Sequence, residues 1–268
     1  MAISEIEHLY GPRVHIIDDP LLATQLADLS SKTTGQPDIN RLVRELYRAL
    51  VRIVIATEFP RKKREVVTRM GAVFIKKQMD PNPARIHYTG LAHRTKAVCV
   101  DIARAGMLPS QVCYDELLGV LEPRGVRQDH LMMARTADAE GHVDGVDIRG
   151  SKIGGPIENR FVLFPDPMGA TGTSLSKAIS VYKREGMGTP CQMITLNLII
   201  TPEFIRRMRN DHPEVLIYAL RLDRGLSSFD VQMMVPGTLW DDECGLTDNG
   251  YIVPGAGGLG EIINNTDD

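Results

Sequence analysis

The stretch "FVLFPDPMGATGTSLSKA", from Phe161 to Ala178, sets an apolar run against an acid, a turn of small and hydroxyl-bearing residues and a helical pattern. A strand that ends in such a turn and feeds a helix presents several backbone N–H groups at one point, with the positive end of the helix dipole behind them. That is an anion cradle. Gly169 and Gly172 permit tight turns and close approach of the main chain, while Thr171, Thr173 and Ser174 add hydroxyl donors. Each hydrogen bond to a charged oxygen contributes about 1.5 to 3 kcal/mol net, against roughly 0.3 to 1 for the dipole, so direct donors dominate. Asp166 precedes the cradle, and a carboxylate there repels phosphate but suits the hydroxyls of a sugar. A ligand with both groups, in that order, is expected.

Two commoner phosphate motifs do not fit. The nucleotide P-loop needs a lysine where Thr173 stands, and the dinucleotide fingerprint needs a glycine pattern that Gly169 and Gly172, three apart, do not supply.

The elements that must hold this turn are legible as short apolar runs: "AVCVDI" from Ala97, "FVLFP" from Phe161, "MITLNLII" from Met193 and "VLIYAL" from Val215. Continuous runs of this length fit strands buried on both faces, as in a parallel sheet. Between them lie helical patterns. "DINRLVRELYRALVRIVIATEF" begins with Asp38 as the expected N-cap and places Leu42, Val43, Leu46, Ala49, Leu50 and Ile53 on one side. "SLSKAISVYKREG" ends with Gly186 as a stop, and Thr201, Pro202 and Glu203 read as cap, first turn and acid of another helix. The alternation of strand and helix implies an α/β fold. The charged, Gly-rich segment from Ala139 reads as a mobile hairpin or lid, and "FPRKKRE" from Phe59 as a solvated turn.

At 268 residues the chain is long enough to bury a large core, and it is expected to form a single domain. A net charge of -3 gives no general attraction to nucleic acid or an anionic membrane, so an anionic ligand needs a focused site. The four cysteines form no CxxC pair, Cys99 and Cys191 adjoin runs expected to be buried, and none of the seven histidines falls at metal-ligand spacing. With no signal core and no apolar span of membrane length, the protein is read as cytoplasmic.

Four motifs in order resemble the uracil phosphoribosyltransferase family. "DPMGATGTS" from Asp166 is similar to that family's phosphoribosyl pyrophosphate loop, DPMLATGGS. "VHIIDDPLL" from Val14 resembles its amino-terminal VHVIDHPLI, "ARAGML" from Ala103 its pyrophosphate loop LRAGLG, and "NGYIVPGAGGLGE" from Asn249 its base-recognition segment HGYIVPGLGDAGD. The similarity runs from Val14 to near Asn264.

The resemblance implies a type I phosphoribosyltransferase fold: a mostly parallel sheet flanked by helices, with a hood or lid over 137–156 and, in this chain, an insertion over 227–247. It implies transfer of a phosphoribosyl group to uracil with Mg²⁺, giving UMP and pyrophosphate, by a homo-oligomer of two or more subunits. Carried over by position, Asp166 and Arg104 are the catalytic residues. Asp166 meets the ribose hydroxyls; Pro167, Met168, Gly169, Ala170, Thr171, Gly172, Thr173 and Ser174 form the loop around the 5-phosphate; Arg104, Ala105 and Gly106, with Arg135 from the lid, meet the pyrophosphate. Tyr251, Ile252, Ala256, Gly257 and Gly258 read the base, mainly through the main chain. No residue is assigned as a metal ligand.

The chain departs from the pattern at Gly258, where the family has an acid, and at Glu261, where it has Asp. A phosphoribosyltransferase for another base and a non-catalytic nucleotide-binding regulator are the alternative readings.

Overall fold

The structure is a computed structural model that describes residues 4–76, 85–137, 143–184 and 186–266. The four apolar runs form the middle of one sheet: β4 (Lys96–Ala103), β7 (Arg160–Pro165), β9 (Gln192–Ile200) and β10 (Leu216–Leu222). β1 (Val14–Ile16) closes one edge, and the hairpin of β5 (Val126–Ala137) and β6 (Val143–Lys152) the other, in the order β1-β10-β9-β7-β4-β5-β6. The two-residue β8 (Met168–Gly169) adds to β9. All pairs are parallel except β5 with β6.

Alternation along the strands divides the core into two layers. Ala97, Cys99, Leu163 and Leu196 face a layer that includes α1 (Pro20–Ser30), α2 (Asp38–Glu58), α4 (Met107–Val120) and α8 (Leu259–Asn264). Val98, Val100, Val162 and Phe164 face α5 (Thr173–Tyr182) and α6 (Pro202–Asp211). Apolar burial on both faces is why these strands read as unbroken hydrophobic runs. The predicted stripe of α2 is the buried one: Leu42, Val43, Leu46 and Leu50 lie in the core, and Ala49 and Ile53 pack against it half-buried.

Several expectations shift. Pro37, not Asp38, is the N-cap of α2; Asp38 is its first residue, where a carboxylate favours the helix dipole, and it pairs with Arg41 at 3.1 Å. α5 ends at Tyr182 with Lys183 as its cap, so Gly186, at φ 84°, turns the chain after the helix has closed. "FPRKKRE" is a strand rather than a turn: β2 (Arg61–Val67) pairs antiparallel with β3 (Arg85–Leu91) in a separate exposed ribbon, and its partner lies too far along the chain to be read locally. Thr201 caps α6 as expected, accepting from the Phe204 N–H at 3.0 Å. Cys99 and Cys113 are buried, but Cys191, ahead of β9, is exposed; all four thiols are unpaired. Among the described residues no helix is long and apolar enough to cross a membrane.

The connections after β4 and β7 leave the same edge of the sheet and turn to opposite layers, into α4 and α5. A crevice at the carboxyl ends of neighbouring strands is where α/β sheets take ligands.

Candidate active site

Asp166 follows β7 directly. Its N–H donates to the Leu196 carbonyl at 3.0 Å, its carbonyl accepts from Asn197 Nδ2 at 2.7 Å, and its carboxylate takes the Met168 N–H at 3.3 Å. Tyr47 of α2 lies close by, fully buried, with its hydroxyl on the Leu196 carbonyl at 3.1 Å; burial first, and the Asp166 charge after it, hold its phenol well above the usual range. The main chain of the acid, at the end of β7, is thereby fixed to the neighbouring β9.

The turn itself is held by β9 and by α6. The Pro167 carbonyl accepts from the Leu198 and Ile199 N–H groups, both at 3.1 Å, and Met168 and Gly169 pair with Ile199 and Ile200. The Ala170 carbonyl accepts from the Thr201 hydroxyl at 2.7 Å, and the Thr171 carbonyl from Arg207 Nε at 3.0 Å. Gly172 stands at φ 76°, in the left-handed region that favours glycine, and is the cap of α5 without offering a side chain to its amides. Thr171 Oγ1 meets the Thr173 hydroxyl at 3.1 Å and takes the Thr173 N–H at 3.3 Å. Thr171 is exposed and Thr173 and Ser174 are half-buried, so the paired hydroxyls of Thr171 and Thr173 lie where solvent reaches the start of α5.

Arg104, Ala105 and Gly106 form the turn between β4 and α4. Gly106 must be glycine: a Cβ there would stand 2.8 Å from the Ile102 carbonyl oxygen and 3.1 Å from that of Pro165. The second contact joins this turn to the start of the Asp166 loop. Arg104 is half-exposed; its Nη1 donates to Thr266 Oγ1 at 3.1 Å and its Nη2 lies 3.5 Å from Glu261 Oε1.

The segment from Asn249 reaches both turns. A Cβ on Gly250 would touch Thr171 Cγ2 at 3.9 Å, and one on Gly260 would touch Ala105 Cβ at 3.4 Å. Ile252 and Ala256 point into the core, Tyr251 and Gly257 are exposed, and Gly258 is half-buried. Arg135 lies in β5 opposite Val146. Of the expected lid, residues 138–142 lie outside the described ones, and most of the rest is β6.

Several contributing residues were not singled out from sequence. Asp223, just past β10 and almost fully buried, takes Arg221 through both oxygens at 2.6 and 2.9 Å and accepts the Gly255 N–H at 2.8 Å; Arg221 donates to the Gly255 carbonyl at 2.9 Å. Together they clamp the segment that would read a base. The signal was present in "LRLDRGL", an arginine and an acid two apart where a buried strand ends. Arg207 and Tyr47 carried no local signal, since their contacts come from other elements.

Residues 227–247, the expected insertion, fold beside α6 and the amino-terminal segment. Glu243, buried, accepts from the Tyr10 hydroxyl, from Arg224 at 2.9 Å and from the Gly237 N–H at 2.8 Å, and Trp240 stands edge-on to Tyr10 with ring centres 5.0 Å apart. Glu203 of α6 holds the Gly245 N–H at 2.9 Å. This segment therefore fixes where the segment expected to read a base starts.

A family model described as uracil phosphoribosyltransferase matches residues 16–239. The chain belongs to the uracil phosphoribosyltransferase family. Among its relatives, a uracil phosphoribosyltransferase of Caldanaerobacter subterraneus subsp. tengcongensis is 28% identical over 254 residues, covering 94% of this chain and 98% of that one. Another, from Pyrobaculum arsenaticum, is 31% identical over 225 residues, 84% of this chain and 94% of its own. Among solved structures, the AQ2163 protein of Aquifex aeolicus shares the fold, with a TM-score of 0.65 at 20% identity over 93% of this chain and 97% of that one. The α/β fold with a mostly parallel sheet between helical layers is the type I phosphoribosyltransferase fold that the resemblance implied.

Proposed function

We propose that the protein transfers the phosphoribosyl group of phosphoribosyl pyrophosphate to uracil, forming UMP and releasing pyrophosphate, in pyrimidine salvage. The observation that carries this reading is the meeting of three segments at one strand edge: Gly106 against Pro165, Gly250 against Thr171, and Gly260 against Ala105. A sugar phosphate, a diphosphate and a flat base need three adjoining surfaces, and these are adjoining.

In this reading the 5-phosphate takes the amides and hydroxyls from Ala170 to Ser174, and Asp166 takes the ribose hydroxyls. As the bond from C1 to the diphosphate breaks, positive charge grows on the sugar and negative charge on the leaving group. Arg104 stabilises the second and Asp166 the first. Uracil, held by the main chain near Ile252 and Ala256, gives its ring nitrogen to C1 and loses that nitrogen's proton.

Magnesium, when bound, would neutralise the diphosphate as it leaves. Among the described residues no group of three or more His, Cys, Asp or Glu side chains could hold a metal. Glu261, 3.5 Å from Arg104, is the carboxylate that would lie beside a cation bound to the diphosphate. The free thiols support a cytoplasmic setting. The exposed ribbon of β2 and β3, with Val66, Val67, Ile86 and Tyr88 in solvent, supports self-association.

The test is pyrophosphate release from phosphoribosyl pyrophosphate and magnesium with a panel of nucleobases. Uracil should be the preferred acceptor, and Asp166→Asn and Arg104→Ala should each lower turnover about 100-fold or more in folded protein. Preference for another base would reassign the acceptor; tight UMP binding without turnover would make the chain a regulator; near-normal rates in either variant would remove the assigned roles.

A further inference from the structure

The family's base-recognition segment carries an acid where this chain has Gly258. The space is not empty. Gly258 stands at φ −77° and ψ 75°, a backbone any residue can adopt, and a Cβ built on it would fall 2.7 Å from Glu261 Oε2 and 3.7 Å from its Cδ. The Glu261 carboxylate therefore occupies the place of a side chain on residue 258. It arrives there because the Glu261 and Ile262 N–H groups both donate to the Gly258 carbonyl at 3.0 Å, which sets residue 261 one tight turn beyond 258. Its other oxygen, Oε1, lies 3.5 Å from Arg104 Nη2. With Glu261 about a third exposed and Arg104 about half, both remain open to a ligand.

We infer that Glu261 supplies, from the start of α8, the carboxylate that the family's segment carries at position 258, and that it acts on the magnesium form of the diphosphate. The inference rests on the reading that this site takes a diphosphate.

A carboxylate beside Arg104 has two opposed effects. With a bare diphosphate it competes for the guanidinium and repels the anion. With a cation on the diphosphate it attracts the complex. An acid serving only as a clasp on Arg104 would instead act alike on both forms, and weakly, since exposed ion pairs contribute little. Dependence on the cation thus separates the assigned role from a structural one.

The experiment is calorimetric titration of the full chain with inorganic pyrophosphate, once with magnesium and once with EDTA. Glu261→Ala and Glu261→Gln should each bind magnesium pyrophosphate about tenfold more weakly, the size of one charge-assisted contact, with metal-free binding unchanged or tighter. Gly258→Asp in the Glu261→Ala background, where the obstructing carboxylate is gone, should recover magnesium pyrophosphate binding to within about threefold of the parent. The inference is overturned if both single variants match the parent with magnesium, if they lose both forms equally, or if the double variant binds no better than Glu261→Ala. A parent protein that binds neither form overturns the diphosphate reading itself, and this inference with it.

Discussion

Arg207 on α6 donates its Nε to the carbonyl oxygen of Thr171 at 3.0 Å, so a helix of one layer fixes the middle of the loop assigned to the 5-phosphate. Its Cδ also lies 3.4 Å from where a Cβ on Gly172 would be, which places the aliphatic stem under the turn. Removing it frees a carbonyl and loosens the amides on either side without touching Asp166 or Arg104. Arg207→Ala should raise KM for phosphoribosyl pyrophosphate about tenfold, the equivalent of one such bond, with kcat changed less than about threefold. Lysine should recover only part, because an ammonium lacks the planar fork. Steady-state kinetics with phosphoribosyl pyrophosphate varied at saturating base reads this; an unchanged KM in Arg207→Ala contradicts it.

Gly106 links the two turns proposed to hold anions by contact distance. A methyl there meets the carbonyl oxygens of Ile102 and Pro165 at 2.8 and 3.1 Å, both main-chain atoms that cannot rotate away. Gly106→Ala should cost about 1 to 3 kcal/mol of stability and displace Arg104, with loss of activity. Gly119, near the end of α4, has nothing within 4 Å of a Cβ, so Gly119→Ala should leave activity unchanged and stability equal or higher by about 0.5 to 1 kcal/mol. Urea denaturation of the two variants beside the parent gives the comparison.

The sheet was legible because its strands are buried on both faces: Val98 and Cys99, adjacent in sequence, belong to opposite layers, and both must be apolar. The Asp166 turn was legible because its chemistry is local, with acid, glycines and hydroxyls inside nine residues. What escaped depends on distant partners. β2 is charged over its first five residues and exposed throughout, and it is a strand only because β3 pairs with it. Arg207 matters through Thr171, and Asp223 through Gly255, each about thirty residues or more away. Asp38 was displaced by one position because a helix-start acid serves as cap or as first-turn residue, and sequence does not distinguish the two.

Asp223 makes a sharper case for indirect control of the base segment. Only 2% exposed, it pairs with Arg221 and holds the Gly255 N–H, so its removal leaves a partly buried guanidinium without its carboxylate. Asp223→Ala should lose about 3 to 5 kcal/mol, as expected for breaking a buried pair. Asp223→Asn, which keeps an acceptor for Gly255, should fold and isolate the functional effect: KM for uracil rises while KM for phosphoribosyl pyrophosphate stays within about threefold. A parallel rise in both would assign Asp223 to the fold as a whole rather than to the base segment.

His212, at the cap of α6, ties that helix to the first turn of α5 and gives stability a pH dependence whose sign follows from its partners. Its Nδ1 faces Lys183 Nζ at 2.7 Å, and its Nε2 lies 2.9 Å from the Ser176 carbonyl oxygen. The neutral ring satisfies both, accepting from the ammonium and donating to the carbonyl. Burial is the largest influence and lowers its pKa from the ordinary 6.5; Lys183 lowers it too, while the Ser176 carbonyl, Glu214 and Asp211 oppose the shift. Above 6.5 the ring is neutral in both folded and unfolded chains, so its contribution is full there. As pH falls below 6.5 the unfolded chain takes up a proton that the folded one resists, and stability drops until the folded-state pKa is passed. His212→Gln keeps a donor and an acceptor but cannot titrate. Its Tm should lie below that of the parent at pH 8, and the gap should narrow once pH falls below 6.5, because only the parent pays the protonation penalty. Thermal unfolding of both proteins across that range decides it, and a gap that stays constant or widens toward acid would place the neutral ring in doubt.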